Sequence, residues 1–159
     1  AEALAAVHAA GFIHRDVCPR NFVANQQATS LTLIDFGLTV PATPGFMQPG
    51  NRTGTPVYMS PEVVRRRPTD HRLDIFSFGV SAYELLTFEL PWLRGSGDGM
   101  AALTHDTQDP FPIEKYRPNI HPILAKSVMQ CLDPDPSTRP QTMDRFLQAI
   151  RPVKQAFNS

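Results

Sequence analysis

Three stretches of this chain gather side chains that can do chemistry. His14-Arg15-Asp16-Val17-Cys18-Pro19-Arg20-Asn21 sets a carboxylate, a carboxamide, a thiol and two guanidinium groups in one loop. Asp35-Phe36-Gly37 adds a second carboxylate beside a glycine, and Gly54-Thr55-Pro56-Val57-Tyr58-Met59-Ser60-Pro61-Glu62 adds hydroxyls and a third carboxylate. Asp16 and Asp35 are bases or oxygen donors, and Asn21 offers a neutral oxygen. Hard divalent cations take oxygens of this kind and fill their remaining positions with water or phosphate. Any one of these residues alone would be an ordinary turn residue. The order and spacing carry the signal: 19 residues from Asp16 to Asp35, and 27 from Asp35 to Glu62.

Such groups need elements to position them. Ala1 to Ala10 reads as a helix with Leu4 and Val7 on one face, and Gly11 stands where a left-handed stop is expected. The chain opens inside that helix without a Met, which reads as a cut within a longer element. Phe22-Val23-Ala24 and Leu31-Thr32-Leu33-Ile34 are short apolar runs joined by a polar linker, the pattern of a hairpin. That hairpin would carry Asn21 and Asp35 at its opposite ends, facing one cleft. Residues 37–61 have little periodicity and much Gly, Pro and Thr, and loops of that length are more often functional than incidental. From Leu73 to Thr87 apolar side chains surround the helical axis, the mark of a buried helix. Pro91-Trp92 would close it, with a flexible turn over Gly95 to Gly99. Ile123, Leu124, Val128, Cys131 and Leu132 mark one amphipathic helix. Met143, Phe146, Leu147 and Ile150 mark another, with Thr142 as its N-cap. The expected fold is mainly α, with one small β-hairpin carrying two charged loops.

The ordered set resembles the protein kinase family of the serine/threonine type, from the first helix nearly to the end: a catalytic loop of HRD…N form, then DFG, then an APE-like Ser-Pro-Glu. The resemblance implies that residues 1–159 are the C-terminal lobe of the α+β kinase fold, without the N-terminal lobe that grips ATP. It implies transfer of the γ-phosphate of Mg·ATP to a Ser or Thr hydroxyl of a protein substrate, and little activity for the lobe alone.

It also implies roles. Asp16 would accept the substrate hydroxyl's proton, while Asn21 and Asp35 would hold Mg²⁺ against the ATP phosphates. Val23 would form the floor under adenine. Thr55, in Gly54-Thr55-x-x-Tyr58, would bridge to Asp16, a serine/threonine-type feature. Arg15 would pair with a phosphate on the activation segment, with Thr53 as candidate, although the position most often phosphorylated is here Asn51. His14 and Phe36 would be stacked members of a hydrophobic spine. Asp74 would tie the buried helix to the catalytic-loop backbone, and Glu62 and Arg139 would form a buried ion pair. One position departs from the pattern: Cys18 stands where serine/threonine kinases have Lys. Arg20 occupies the place where many tyrosine kinases carry arginine, and it is expected to substitute for that lysine. A pseudokinase or scaffolding module acting by partner binding is the alternative.

Composition limits the remaining classes. Lys+Arg and Asp+Glu both count 15, so no net field draws the 159-residue chain to nucleic acid or an anionic membrane. Two distant cysteines argue against a disulfide scaffold or zinc site and favour a reducing, cytoplasmic setting, including the cytosolic part of a membrane-tethered kinase. No apolar run reaches the length needed to span a bilayer.

Overall fold

The computed structural model describes all residues except 28, 93–100 and 158–159. The expected turn over Gly95 to Gly99 therefore lies outside the described residues.

Helix α1 (Glu2–Ala9) buries Leu4 and is followed by Gly11 at φ 83°, the left-handed stop that its sequence announces. Strand β1 (Phe12–Ile13) leads into the charged loop, and a 3₁₀ turn (Pro19–Asn21) delivers the chain to β2 (Phe22–Ala24). Strand β3 (Leu31–Leu33) pairs antiparallel with β2, with Phe22 opposite Leu33 and Val23 opposite Thr32. This alternation turns Leu33 into the core and leaves Val23 half-exposed on the other face. The long segment that follows is pinned rather than free. Its first part forms β4 (Val40–Pro41), which pairs with β1, and a later part forms a 3₁₀ turn (Pro56–Tyr58) before α2 (Pro61–Val64).

Helix α3 (Arg72–Thr87) is the hub, with Ile75, Phe76, Val80 and Tyr83 fully buried. Gly79 lets α4 (Pro122–Cys131) approach closely: a Cβ there would lie 2.6 Å from the Cys131 Cβ. The helix ends at Thr87, with Phe88 in the left-handed region at φ 60°, so its stop precedes Pro91-Trp92. Trp92 is buried instead, in a cluster of three rings with Phe76 and His105 at centroid distances of 6.0 and 4.3 Å, those two lying 5.5 Å from each other. The apolar surround of α3 is also incompletely covered. Leu85 is 53% exposed, and Phe78, Ala82, Leu85 and Leu86 line an open groove of about 620 Å³. Helix α5 (Met143–Ala149) starts at Thr142, whose hydroxyl accepts the Arg145 N–H, and a short α6 (Arg151–Phe157) continues it.

Candidate active site

The charged loop between β1 and β2 is held by α3 from below. Asp74 is fully buried, and its carboxylate accepts the backbone N–H groups of His14 and Arg15, each at 2.8 Å. A third donor, Nε2 of His8, lies 2.9 Å from the same carboxylate. Arg15 adopts φ 70° and Asp35 φ 62°, so two of the four non-glycine residues with positive φ among the described residues lie in the two charged loops. Backbone strain of this kind persists only where surroundings over-determine it.

Asp16 is the focus of these contacts. Its Oδ1 accepts the Thr55 hydroxyl at 2.8 Å and the Thr55 N–H at 3.0 Å. Asn21 donates its amide to the Asp16 carbonyl at 2.8 Å and to Oδ2 at 3.2 Å. Burial works to raise the Asp16 pKa, but hydrogen bonds from Thr55 and Asn21 and the charge of Arg20 outweigh it and hold the carboxyl below its ordinary value. Asp16 is thus an ionised acceptor with fixed orientation near neutral pH.

Arg20 is two-thirds exposed, donates to the Thr55 hydroxyl at 2.6 Å and approaches Asp16 Oδ2 at 3.5 Å. Cys18, two residues earlier, is 1% exposed. Burial and the nearby Asp16 charge push its thiol pKa up, the reverse of an activated thiol. Together with Arg20, Thr55 and Tyr58 it lines a cavity of about 350 Å³. The Tyr58 hydroxyl donates to Glu84 at 2.6 Å, and burial followed by that carboxylate raises its pKa.

Asn21 and Asp35 stand at the same, open end of the hairpin rather than at opposite ends. Antiparallel pairing sets the start of β2 beside the end of β3, and the Ile34 N–H donates to the Asn21 carbonyl at 2.8 Å. Asn21 spends its amide hydrogens on Asp16, and its side-chain oxygen has no hydrogen-bond partner among the described residues. Among the described residues, Asp35 Oδ1 accepts the Gly37 N–H and Oδ2 accepts no hydrogen bond. Among the described residues no cluster of three or more His, Cys, Asp or Glu could hold a metal ion alone. Two uncommitted hard oxygens with room for other ligands suit Mg²⁺, which prefers to keep water and phosphate in its shell. Val23, half-exposed on the face of the hairpin away from the core, borders this end of the hairpin.

His14 and Phe36 meet edge to face, with centroids 5.0 Å apart and planes at 69°, rather than stacked. Edge-to-face contact is the geometry that aromatic quadrupoles favour. Arg15 donates to the Thr53 hydroxyl at 2.5 Å. Gly54 sits at φ 105°, where a Cβ would come within 2.6 Å of the Arg15 carbonyl oxygen. Glu62 and Arg139 form a doubly bonded pair at 2.8 and 2.9 Å, both buried, and Arg139 also donates to the carbonyls of Asp133, Arg72 and Pro134. The sequence reading passed over His8 and Glu84. A histidine on a helix of mostly small apolar residues is the only signal for the first, and the second has none.

Residues 1–150 match the family model described as protein kinase domain, and the chain belongs to the protein kinase family. It is 33% identical to the serine/threonine-protein kinase pkn3 of Myxococcus xanthus over 99% of this chain and 31% of that protein. The serine/threonine-protein kinase PkaA of Streptomyces coelicolor is 34% identical over 99% of this chain and 28% of its own length. Calcium-dependent protein kinase 9 of Oryza sativa subsp. japonica is 40% identical over 88% and 24%. The Cydia pomonella granulovirus kinase PK-1 superposes with a TM-score of 0.77 at 25% identity, covering 93% of this chain and 53% of the viral one. The chain thus spans about a third or less of these curated relatives, and its mostly helical fold is that of a protein kinase.

Proposed function

We propose that this chain is the C-terminal lobe of a serine/threonine kinase and supplies the proton acceptor, the metal-holding oxygens and the substrate-facing loop for phosphate transfer from ATP to a Ser or Thr hydroxyl. The observation that carries this reading is the convergence of Thr55 and Asn21 on Asp16, beside the free oxygens of Asn21 and Asp35.

Phosphoryl transfer needs positioning and charge neutralisation more than covalent chemistry. Asp16 Oδ2, less fully engaged than Oδ1, accepts the proton of an incoming hydroxyl. Thr55 fixes the carboxylate plane, and its own position in the activation segment links that plane to the docked substrate. Asn21 and Asp35 would hold Mg²⁺ through their free side-chain oxygens, and the ion would supply neutralisation of phosphate charge. Val23 offers an apolar surface for the adenine ring. Arg20 supplies the positive charge that Lys provides at the Cys18 position in related kinases, and Arg15 with Thr53 forms a regulatory contact that a phosphate would strengthen. His14, Phe36, Asp74, Glu62 and Arg139 keep the loops in register. The lobe that covers ATP completes the enzyme, and the protein works on cytoplasmic protein substrates. Among the described residues no helix is long and apolar enough to cross a membrane.

The test is to produce the kinase with its ATP-covering lobe and measure phosphate transfer from Mg·ATP to Ser/Thr peptides and to itself. Transfer that disappears in Asp16→Asn is expected. Intact folding and Mg·ATP binding without transfer would instead mark a scaffolding module.

A further inference from the structure

Helix α2 runs into three consecutive arginines, Arg65, Arg66 and Arg67, and its stop is unusual. The Arg67 N–H donates to the Glu62 carbonyl at 2.8 Å and the Arg66 N–H to the Val63 carbonyl at 3.2 Å. Arg66 thus fills the left-handed closing position, at φ 52°. Glycine is favoured there and a side chain is penalised. A penalty retained in this way points to a use for the side chain. The surrounding arginines already have partners. Arg65 pairs with Asp106 at 2.7 Å, Arg72 with Asp70 at 2.7 Å and Arg139 with Glu62 at 2.8 Å, while Arg52 Nε donates to the Val64 carbonyl at 2.8 Å. Arg66 and Arg67 are exposed, and among the described residues their guanidinium groups have no hydrogen-bond or ion-pair partner.

These two side chains meet at one cavity. Arg15, Arg66 and Arg67 line it with Gln48, Asn51 and Thr69, so every polar side chain on its wall can donate and none is a carboxylate. Arg15 commits one terminal nitrogen to the Thr53 hydroxyl and keeps the other N–H groups of its fork. The walls are tied together, since the Thr69 N–H donates to the Met47 carbonyl at 2.8 Å. The cavity holds about 30 Å³, room for about two water-sized atoms and not for a ring. A ligand therefore places oxygens inside and its bulk at the mouth, against the exposed guanidinium groups. The chain as a whole carries no net charge, so this positive excess is local. A compact group with several anionic oxygens matches such forks, and a phosphoryl group is that chemistry.

We propose that Arg66 and Arg67, with Arg15, form a binding site for a phosphoryl group presented by another molecule. The wall from Phe46 to Asn51 contains no Ser, Thr or Tyr that could carry the phosphate itself, and Thr53 does not line the cavity. Occupancy clamps residues 48–51 to the connection between α2 and α3. The ligand is free phosphate or a phosphorylated residue of a protein, which share this chemistry. Binding here goes beyond the kinase reading and does not depend on it.

The test uses the intact protein with its ATP-covering lobe and fluorescence anisotropy at low ionic strength. The probes are inorganic phosphate, a fluorescein-labelled phosphoserine peptide of otherwise neutral sequence, and the same peptide unphosphorylated. The phosphopeptide should bind at least about tenfold tighter than its unphosphorylated twin, and inorganic phosphate should displace it. Displacement by an equal concentration of phosphate makes the free ion the ligand; a need for about tenfold more makes it a phosphorylated protein segment. Arg66→Gly and Arg67→Ala should each weaken phosphopeptide binding about tenfold. Arg66→Gly should do so without lowering the melting temperature, because glycine suits φ 52° better than arginine, and this separates loss of the ligand from loss of the fold. Equal affinity for the two peptides, or binding unchanged in both variants, would overturn the proposal. Should phosphopeptide binding hold while the intact protein transfers no phosphate, the kinase reading fails and the site survives.

Discussion

Thr55 meets Asp16 twice, through its hydroxyl at 2.8 Å and its backbone N–H at 3.0 Å, and both bonds end on the same oxygen. Two bonds on Oδ1 define the carboxylate plane and leave Oδ2 turned toward Asn21 and Arg20. In the intact kinase, Thr55→Val should lower kcat about a hundredfold through misplacement of that plane, while Thr55→Ser keeps most activity. The KM for ATP should stay near its original value, since Thr55 contacts neither Asn21 nor Asp35.

The same bonds set an acid limit. The Asp16 carboxyl titrates below its ordinary value of 3.8, so its interactions contribute stability that is present above that value and lost as the pH falls through the folded one. Removing the Thr55 hydroxyl leaves burial less opposed and moves the pKa upward. Circular dichroism followed from about pH 5 to 2 should therefore show Thr55→Val losing structure at higher pH than the unmodified chain.

Arg20 and Cys18 test how the γ-phosphate is neutralised. Arg20→Ala should cut kcat at least about tenfold, the loss expected for one charge aimed at a developing anion. Cys18→Lys in the same molecule should recover much of it, because the 350 Å³ cavity shared by Cys18, Arg20 and Thr55 leaves room for a longer side chain. Steady-state kinetics of the single and double variants decide the point. Unchanged kcat in Arg20→Ala would make Arg20 a solvated loop residue.

A buried and an exposed ion pair should differ in urea denaturation. Glu62→Ala strands the buried Arg139 guanidinium and should cost about 3–5 kcal/mol. Glu2→Ala removes a pair in which Glu2 is 74% and Lys154 56% exposed, and should cost less than about 1 kcal/mol.

Two glycines separate chemistry from stability. Gly54→Ala drives a Cβ toward the Arg15 carbonyl at a backbone angle that disfavours side chains, so it should impair phosphate transfer more than folding. Gly79→Ala forces α3 from α4 and should cost about 1–3 kcal/mol, measured by chemical denaturation.

Much of this could be read along the chain because it is written in local order. The helices follow apolar spacing, Gly11 and Thr142 mark a stop and a start, and the three charged stretches come in family sequence. What escaped was set by distance in space. Hydrophobicity from Leu73 to Thr87 foretold burial on all sides, but which neighbours cover α3 depends on α4 and α5, and one flank around Leu85 stays open. The segment 37–61 looked structureless because its anchors, β1 for Val40 and Asp16 for Thr55, lie far away in sequence. His8 carries no local signal of its bond to Asp74, 66 residues on. The placing of Asn21 beside Asp35 needed the strand register, which alternation alone implies only once antiparallel pairing is applied.

That register divides the hairpin into a working end and an idle one. The connection at the far end closes on itself, with the Asn25 side chain accepting the N–H groups of Thr29 and Ser30. Its length is thereby insulated from the spacing of the Asn21 and Asp35 side chains. A short epitope or fluorophore graft beside Asn25 would report on this fold while leaving the Asn21 and Asp35 end of the hairpin untouched, which makes this turn a natural attachment point.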